Sequence, residues 1–175
     1  MTTQINFEPS PWIVKNLKNI SKNCNILDLA CGYGRHSIYA KKIGLNVTAA
    51  DIDYEKLFYL KNVHNITVLR LDIEKKFNWP FKKNIFDAVM VTNYLYRPIF
   101  KKIFNSIKSK GFLLYETFSE ENIKFGPPKN TNYLLKSGEL LNLANKNRMT
   151  IIEYEEIITQ KKKPKAIQRI FAKIK

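Results

Sequence analysis

The amino-acid sequence predicts an α/β fold: a doubly wound, mostly parallel sheet of seven strands that ends in an antiparallel hairpin. Short β-prone runs alternate with helical patterns through most of the chain, as in sheets with helices on both faces. Two further β-prone runs follow at the C-terminus, around a turn of lysines and one proline. Residues 26–35 provide the third observation, since an apolar run there passes through a carboxylate and two glycines into a helical pattern.

Strands are predicted where apolar and β-branched residues form short runs between polar or turn-forming residues. In chain order these runs are 25–30, 47–50, 67–71, 86–92, 111–117, 150–159 and 166–174. The last two runs flank the lysine turn 161–165, where charge and proline suit a solvated hairpin tip.

Helices are predicted over 34–43, 54–62, 97–108 and 138–145, where apolar residues recur at helical spacing. Another helix precedes the first strand, with Ser10 as its N-cap and Pro11 at the first helical position. We expect residues 1–22 to form a helical cover over a ligand pocket or the sheet edge. Residues 118–137 contain glycine, prolines and asparagines, and we interpret them as a loop near the site of chemistry.

Length and composition indicate one globular domain over residues 1–175, with 45% hydrophobic residues to build its core. No apolar stretch approaches the ~20 residues of a membrane span. Residues 1–10 lack the basic start and apolar centre of a secretory signal, so we expect a cytoplasmic location. Cys24 and Cys31 flank one strand, too far apart for a disulfide and without metal-ligand spacing, so no metal site is predicted.

The formal net charge of +15 comes mainly from lysine, since the chain has only five arginines. Such a field attracts nucleic acid non-specifically. Lysine pairs are scattered along the chain, however, and asparagine and isoleucine are also abundant, which indicates a compositional bias. A solvated lysine surface is therefore favoured, and nucleic acid stays a partner that the sequence allows without favouring it.

The glycine turn carries the strongest functional signal. A strand that enters a Gly-x-Gly turn before a helix brings bare backbone and a helix N-terminus close to a ligand. A second strand ends at Asp51, nineteen residues after Gly32, where a carboxylate can accept the hydroxyls of a ribose. These features predict a site for an adenosine-containing cofactor.

The details of the turn argue against a dinucleotide. The third glycine of G-x-G-x-x-G is replaced by Ser37. Asp28, at the end of the first strand, would repel a pyrophosphate but could hold an ammonium group directly or through water. S-adenosylmethionine has an ammonium, a sulfonium and no phosphate, and so suits this charge pattern better than NAD.

These motifs resemble those of class I S-adenosylmethionine-dependent methyltransferases, which have a Rossmann-like fold of this kind. The resemblance covers roughly residues 20 to 175 and rests on five segments in order, namely 28–34, 51–53, 70–73, 86–93 and 110–114. Residues 115–118, 125–128 and 134–141 are similar to a small bacterial subgroup described only as methyltransferase-like.

The resemblance implies roles for individual residues. Gly32 and Gly34, with the backbone of Ala30 and Cys31, would approach the methionine part of S-adenosylmethionine. The other residues implied in cofactor binding are Asp28 at the ammonium, Asp51 at the ribose, Ile52 and Ile73 beside the adenine, Asp72 at the adenine amino group, and Asn93 at the end of the fourth strand. Several have structural alternatives: helix capping for Asp28, turn capping for Asp72 and simple lining for Cys31. For Asp53 we predict the role of N-cap of the next helix.

Methyl transfer from a sulfonium needs orientation above all, and a base only when the acceptor arrives protonated. Candidate catalytic residues are His36, Tyr94 and Glu116, each with a structural role as the alternative. The Asp/Asn-Pro-Pro-aromatic motif of many nitrogen-methylating enzymes is absent after the fourth strand, where the sequence reads Asn93-Tyr94-Leu95-Tyr96. This absence argues against base-amino or glutamine-amide methylation.

Three functions remain open from the sequence. The first is methyl transfer from S-adenosylmethionine to an unidentified acceptor, for which we favour a small molecule. The second is an RNA or protein methyltransferase that uses the basic surface. The third is a non-catalytic module that binds S-adenosylmethionine. A nucleotide-binding oxidoreductase is disfavoured by the missing glycine and the C-terminal hairpin. The sequence does not indicate an oligomeric state.

Overall fold

A computed structural model describes residues 7–75, 78–160 and 162–175. Some predicted features lie partly outside the described residues. They are residues 1–6 of the N-terminal cover, Lys76 of the lysine pair 75–76 and Lys161 of the lysine turn. The chain forms two compact units, one that ends at Asn78 and one from Trp79 to Lys175. Among the described residues, no helix combines the length and apolar character that crossing a bilayer requires.

All seven predicted strands form, in one mixed and mostly parallel sheet that ends in an antiparallel pair, so the predicted fold class is confirmed. The strands are β1 Asn25–Leu29, β2 Asn46–Asp51, β3 Ile66–Arg70, β4 Phe86–Thr92, β5 Ile107–Phe118, β6 Thr150–Ile158 and β7 Ala166–Lys173. The α-helices are α1 Pro11–Leu17, α2 Arg35–Lys42, α3 Tyr54–Phe58, α4 Phe100–Ser106 and α5 Glu139–Lys146. Short 3-10 helices span Arg97–Ile99, Glu120–Lys124 and Thr131–Tyr133.

The first unit contains the parallel strands in the order β3-β2-β1. Residues 26–29 are buried without alternation, as expected for a parallel strand covered on both faces. The register pairs Leu29 with Ala50 and Asp51 with Arg70, so the three strands end at one edge. The glycine turn leaves β1 at this edge, which is where open α/β sheets bind their ligands.

The second unit contains β4 and β5 in parallel, then β7 and β6, each antiparallel to its neighbour. The predicted C-terminal hairpin is thereby confirmed. Two hydrogen bonds close its turn: Thr159 N donates to Lys165 O at 2.8 Å, and Lys165 N donates to Thr159 Oγ1 at 3.0 Å.

Two predicted helices are shorter than their patterns indicated. The helix predicted over 97–108 begins as a 3-10 turn and ends at Ser106, and Ile107 already has extended backbone angles. Apolar residues at this junction satisfy helix and strand spacing equally, and pairing of Ile107 with Phe86 decides in favour of the strand. The helix predicted over 54–62 ends at Phe58 and continues as tighter turns through Val63.

The predicted loop 118–137 is irregular, yet it is anchored to the second unit. Leu134 and Leu135 are buried, and Ser119 forms a bridge with Leu135. The side chain of Asn122, itself 1% exposed, accepts from Ala166 N at 3.2 Å and donates to Pro127 O at 3.2 Å. Its role near an acceptor site stays a prediction.

Arg97 holds the far end of this loop. Its Nε and Nη2 donate to the two carboxylate oxygens of Glu139 at 2.7 Å each. Its Nη1 donates to Asn132 O at 2.9 Å and its Nη2 to Leu134 O at 2.8 Å. The planar guanidinium thus joins the segment after β4 to the start of α5.

We expect Arg97→Lys to lower the free energy of unfolding by about 2 kcal/mol, because an ammonium cannot reproduce this fork of charge-assisted hydrogen bonds. The control is Lys124→Ala, which breaks an exposed pair with Glu121 at 2.8 Å and should change stability by less than about 0.5 kcal/mol. Urea unfolding of the three proteins measures both effects. Equal effects of the two substitutions would contradict the anchoring role of Arg97.

Candidate cofactor site at the glycine turn

Asp28 lies in β1 one residue before the strand ends, and its side chain is fully buried. Its Oδ2 accepts a hydrogen bond from Ser37 Oγ at 2.6 Å, whereas its Oδ1 has no partner among the described residues. Burial raises the pKa of Asp28 to about 7, against the opposing effects of Ser37 and Arg35. A buried carboxylate oxygen without a donor is costly, so this position suits a bound water or a cationic group.

The turn after β1 has left-handed backbone angles at alternate residues, with φ of 54° at Ala30, 57° at Gly32 and 72° at Gly34. The two glycines serve different purposes. A Cβ at Gly34 would lie 2.3 Å from Leu60 Cδ1, so Gly34 is required for packing within the unit. A Cβ at Gly32 would meet no described residue within 4 Å, so the described part of the chain leaves the space in front of Gly32 open for a ligand.

Asp51 ends β2 and ties the glycine turn to the second strand. Its Oδ2 accepts from Gly32 N at 2.7 Å and its Oδ1 from Asp53 N at 2.9 Å. Each carboxylate oxygen has two lone pairs, so one acceptor position on each stays available for a hydroxyl. The predicted ribose role stays a prediction, and the structure adds a role in positioning the turn.

The other residues predicted at the adenine differ in their exposure. Ile52 is 56% exposed, so an aliphatic surface is available beside Asp51, whereas Ile73 is 7% exposed. Asp72 Oδ1 accepts from Glu74 N at 3.2 Å, which is the turn-capping alternative considered above. Asp53 accepts from Glu55 N and Lys56 N, so its predicted role as N-cap of α3 is confirmed.

His36 lies on the first turn of α2 and holds the N-terminal segment. Its Nε2 accepts from Ser10 N at 3.0 Å, and Arg35 Nη1 donates to Glu8 O at 3.0 Å. Burial, followed by the charge of Arg35, lowers the pKa of His36 to about 3. His36 is therefore a neutral acceptor, which supports its structural alternative, and its catalytic role stays a prediction.

Cys31 supports the glycine turn as a small buried residue. Its Sγ lies 3.6 Å from Gly32 O, and burial together with Asp28 and Asp51 raises the pKa of the thiol. A thiol that stays protonated is a poor nucleophile, which is consistent with the lining role considered above.

The remaining predicted residues belong to the second unit. Asn93 follows β4 with a φ of 53°, and its backbone N–H donates to Glu116 O at 2.9 Å. Glu116 is buried, and Arg169 Nη1 lies 3.5 Å from its Oε2. Tyr94 is half-buried, and its carbonyl accepts from Tyr115 Oη at 2.9 Å. Their roles toward a cofactor or acceptor stay predictions.

Sequence reasoning missed two features of the first unit. Ser37, which we considered only as a missing glycine, is the donor to Asp28. Phe7, Tyr33 and Tyr59 form a cluster of rings beside the turn, with centroids 5.2 to 6.0 Å apart. Leu60 packs against Gly34, and this contact brings the neighbouring Tyr59 close to Tyr33. No local pattern in the sequence indicates this contact.

No group of three or more His, Cys, Asp or Glu side chains within the described ranges is arranged to hold a metal ion.

Comparison with known proteins agrees with this geometry. Residues 26–111 match the family model described as a methyltransferase domain. No curated protein sequence matches the chain. Residues 26–111 thus contain a methyltransferase domain, and the seven-stranded sheet with its glycine turn has the class I methyltransferase, Rossmann-like fold.

Solved structures share the fold at low sequence identity. TehB from Haemophilus influenzae has a TM-score of 0.75 at 22% identity, over 99% of this chain and 64% of TehB. This chain therefore spans less than two thirds of that protein. A SAM-dependent methyltransferase from Aquifex aeolicus has a TM-score of 0.68 at 20% identity, over 93% and 89% of the two chains. The (4+2)-cyclase SpnF has a TM-score of 0.75 at 12% identity, over 93% and 78%.

Proposed function

We propose that this protein binds S-adenosylmethionine at the glycine turn and transfers its methyl group to a small-molecule acceptor. The observation that carries the cofactor assignment is the pair formed by the open space at Gly32 and the unpartnered Oδ1 of buried Asp28. The open space can admit a ligand against bare backbone, and the buried Oδ1 can accept from an ammonium directly or through a bound water. A pyrophosphate offers no donor to Asp28 and would be repelled by it.

S-adenosylmethionine supplies an already activated methyl group, so the protein mainly has to bind and orient it. In our proposal Asp28 holds the ammonium end and Asp51 accepts from the ribose hydroxyls. Ile52 offers its exposed side chain to the adenine. Gly32, Gly34 and the backbone of Ala30 and Cys31 line the methionine part, while Asp72 lies at the adenine amino group and Ile73 beside the ring. A cofactor contact of Asn93 stays a prediction.

The charges that follow the strands of the second unit support a small acceptor over RNA. Residues 93–96, which follow β4, are uncharged. The cations nearby are already in ion pairs, Arg97 with Glu139 at 2.7 Å and Arg169 with Glu116 at 3.5 Å. A nucleic-acid acceptor would require cations there to contact its phosphates. Tyr94 and Tyr96 are half-buried in this segment and offer rings against which a small acceptor can pack.

Calorimetric titration with S-adenosylmethionine, S-adenosylhomocysteine and NAD tests the cofactor, and release of S-adenosylhomocysteine across an acceptor panel tests the reaction. We expect binding of the first two ligands, no binding of NAD, and turnover with a small acceptor. Binding of S-adenosylmethionine without turnover on any acceptor would contradict the enzymatic proposal and favour a binding module.

We expect Asp51→Ala to weaken S-adenosylhomocysteine binding more than about tenfold, because it removes the ribose acceptors and releases the backbone of Gly32. The control is Asp53→Ala, which removes the N-cap of α3 and should lower stability by about 1 kcal/mol with little effect on affinity. Calorimetry and urea unfolding separate the two variants.

A ligand variant separates the two roles of Asp51. The wild-type protein should bind S-adenosylhomocysteine more tightly than its 2′-deoxyribose analogue, and Asp51→Ala should bind the two equally. Undiminished discrimination in Asp51→Ala would rule out the ribose contact.

A further inference from the structure

Basic side chains collect at one edge of the second unit. β4, β5 and β6 begin at this edge and β7 ends there, because β7 is antiparallel to β5 and β6. The register places Lys173 between Phe112 and Thr150. Backbone hydrogen bonds of 3.0 Å from Ile85 N to Ser106 O and of 2.8 Å from Ile174 N to Gly111 O join the connecting segments.

Four segments meet at this edge: 79–85, 105–111, 145–149 and 173–175. They carry eight basic residues and no acidic residue: Lys82, Lys83, Lys108, Lys110, Lys146, Arg148, Lys173 and Lys175. We call this set the basic edge. Asp87 in β4 lies beside this edge and accepts from Lys108 Nζ at 2.8 Å. A compositional bias toward lysine would scatter lysines along the chain without excluding acidic residues. The absence of acidic residues from these four segments therefore requires another explanation.

Aromatic rings accompany the cations. Trp79 and Phe81, both half-buried, are in edge contact with centroids 5.2 Å apart, immediately before Lys82 and Lys83. Lys173 Nζ lies 5.5 Å from the ring centroid of Phe112, which is itself stacked on Phe171 at 5.3 Å, so the rings that we assign to base stacking are Trp79 and Phe81. Lysines that track phosphates, together with rings on which bases stack, are the features by which proteins bind single strands of nucleic acid.

We propose that the basic edge binds single-stranded RNA as a docking surface distinct from the site of methyl transfer. β4 has seven residues, which at a rise of about 3.3 Å each place the basic edge roughly 20 Å from Asn93 at the other end of the strand. RNA on this edge is thus a tether or partner rather than the methyl acceptor. Binding of RNA to the basic edge does not require that the protein transfers methyl groups.

Fluorescence anisotropy with a fluorescein-labelled 20-nucleotide oligouridylate, between 50 and 300 mM NaCl, tests the proposal. The edge variant combines Lys83→Gln, Lys110→Gln and Lys175→Gln. The control variant combines Lys18→Gln, Lys42→Gln and Lys61→Gln, which removes the same charge from exposed lysines of the first unit.

The wild-type protein should bind the oligonucleotide with an affinity that falls linearly with salt on a logarithmic plot. The edge variant should bind at least about tenfold more weakly, with a slope smaller by about 2, since each lost phosphate contact contributes about 0.7. The control should change less than about threefold. Equal weakening of both variants, or no binding by the wild-type protein at 50 mM NaCl, would overturn the proposal.

Trp79 supplies a second readout. RNA should quench tryptophan fluorescence in the wild-type protein, and Trp79→Phe, which keeps Trp12, should lose that quenching. Vesicles of phosphatidylcholine with phosphatidylserine test the competing partner. One outcome would overturn the proposal in favour of a membrane surface. In it the wild-type protein and the control variant bind the vesicles, the edge variant does not, and none of the three binds RNA.

Discussion

Gly32→Ala is expected to weaken S-adenosylmethionine binding by on the order of 10- to 100-fold while the chain stays folded, because a methyl group without room costs ~1–3 kcal/mol. The added Cβ would contact none of the residues that the structure describes, and it would occupy the space that we assign to the ligand. Alanine at the left-handed φ of 57° that residue 32 adopts should lower the free energy of unfolding by about 1 kcal/mol. Ala30 already has such angles two residues earlier, so this backbone accepts alanine.

Gly34→Ala is the matched variant, and we expect it to lower stability more than affinity. Its backbone strain is similar, but the added methyl group would overlap Leu60, whose side chain is fully buried and cannot turn aside. We expect a loss of about 3 kcal/mol or more in the free energy of unfolding, from backbone strain and overpacking together.

A double variant tests this contact directly. Gly34→Ala combined with Leu60→Ala should be more stable than the sum of the two single effects predicts, because removal of the Leu60 side chain makes room for the new methyl group. Urea unfolding and calorimetry report stability and affinity separately. Wild-type affinity in Gly32→Ala would contradict the placement of the cofactor, and additive effects at residues 34 and 60 would contradict the packing role.

The free energy of unfolding of Asp28→Asn is expected to depend much less on pH than that of the wild-type protein. The folded protein holds this carboxyl with a pKa of about 7, against an ordinary value of 3.8. Between about pH 4 and pH 7 the folded state therefore binds a proton that the unfolded chain has released. By linkage, wild-type stability should fall as pH rises through this window, by on the order of 4 kcal/mol.

Urea unfolding at pH 5, 6, 7 and 8 measures this slope, and the difference between the wild-type protein and Asp28→Asn isolates the contribution of residue 28. Ser37→Ala provides the control. It removes the hydrogen bond that lowers the pKa of Asp28, so the fall in stability should extend to higher pH. Parallel stability profiles of the wild-type protein and Asp28→Asn would contradict the assignment of the titration to Asp28.

Ligand binding should have the opposite pH dependence. An ammonium beside Asp28 favours the ionised carboxylate, so S-adenosylmethionine should bind more tightly as pH rises from 6 to 8, with release of a proton. Asp28→Asn should bind more weakly and lose this dependence. Calorimetry in two buffers of different ionisation enthalpy measures the released proton. A pH-independent affinity in the wild-type protein would argue against contact between Asp28 and the ammonium.

The order of the elements and the position of the glycine turn could be predicted because they depend on local patterns. Apolar runs locate the seven strands, and the carboxylate-glycine pattern locates the turn. The limits of α3 and α4 could not be predicted, because strand pairing of Ile107 and the tight turns after Phe58 override helical spacing.

The sequence by itself determined the α/β class, the C-terminal hairpin and the set of residues around the turn, since these follow from periodicity and spacing along the chain. Only the tertiary structure decided which glycine faces open space and which packs on Leu60, and that Asp51 bonds to the backbone of Gly32. It also decided that lysines distant in sequence share one edge. Such contacts depend on how strands pair in space, and the spacing of residues along the chain does not encode them locally.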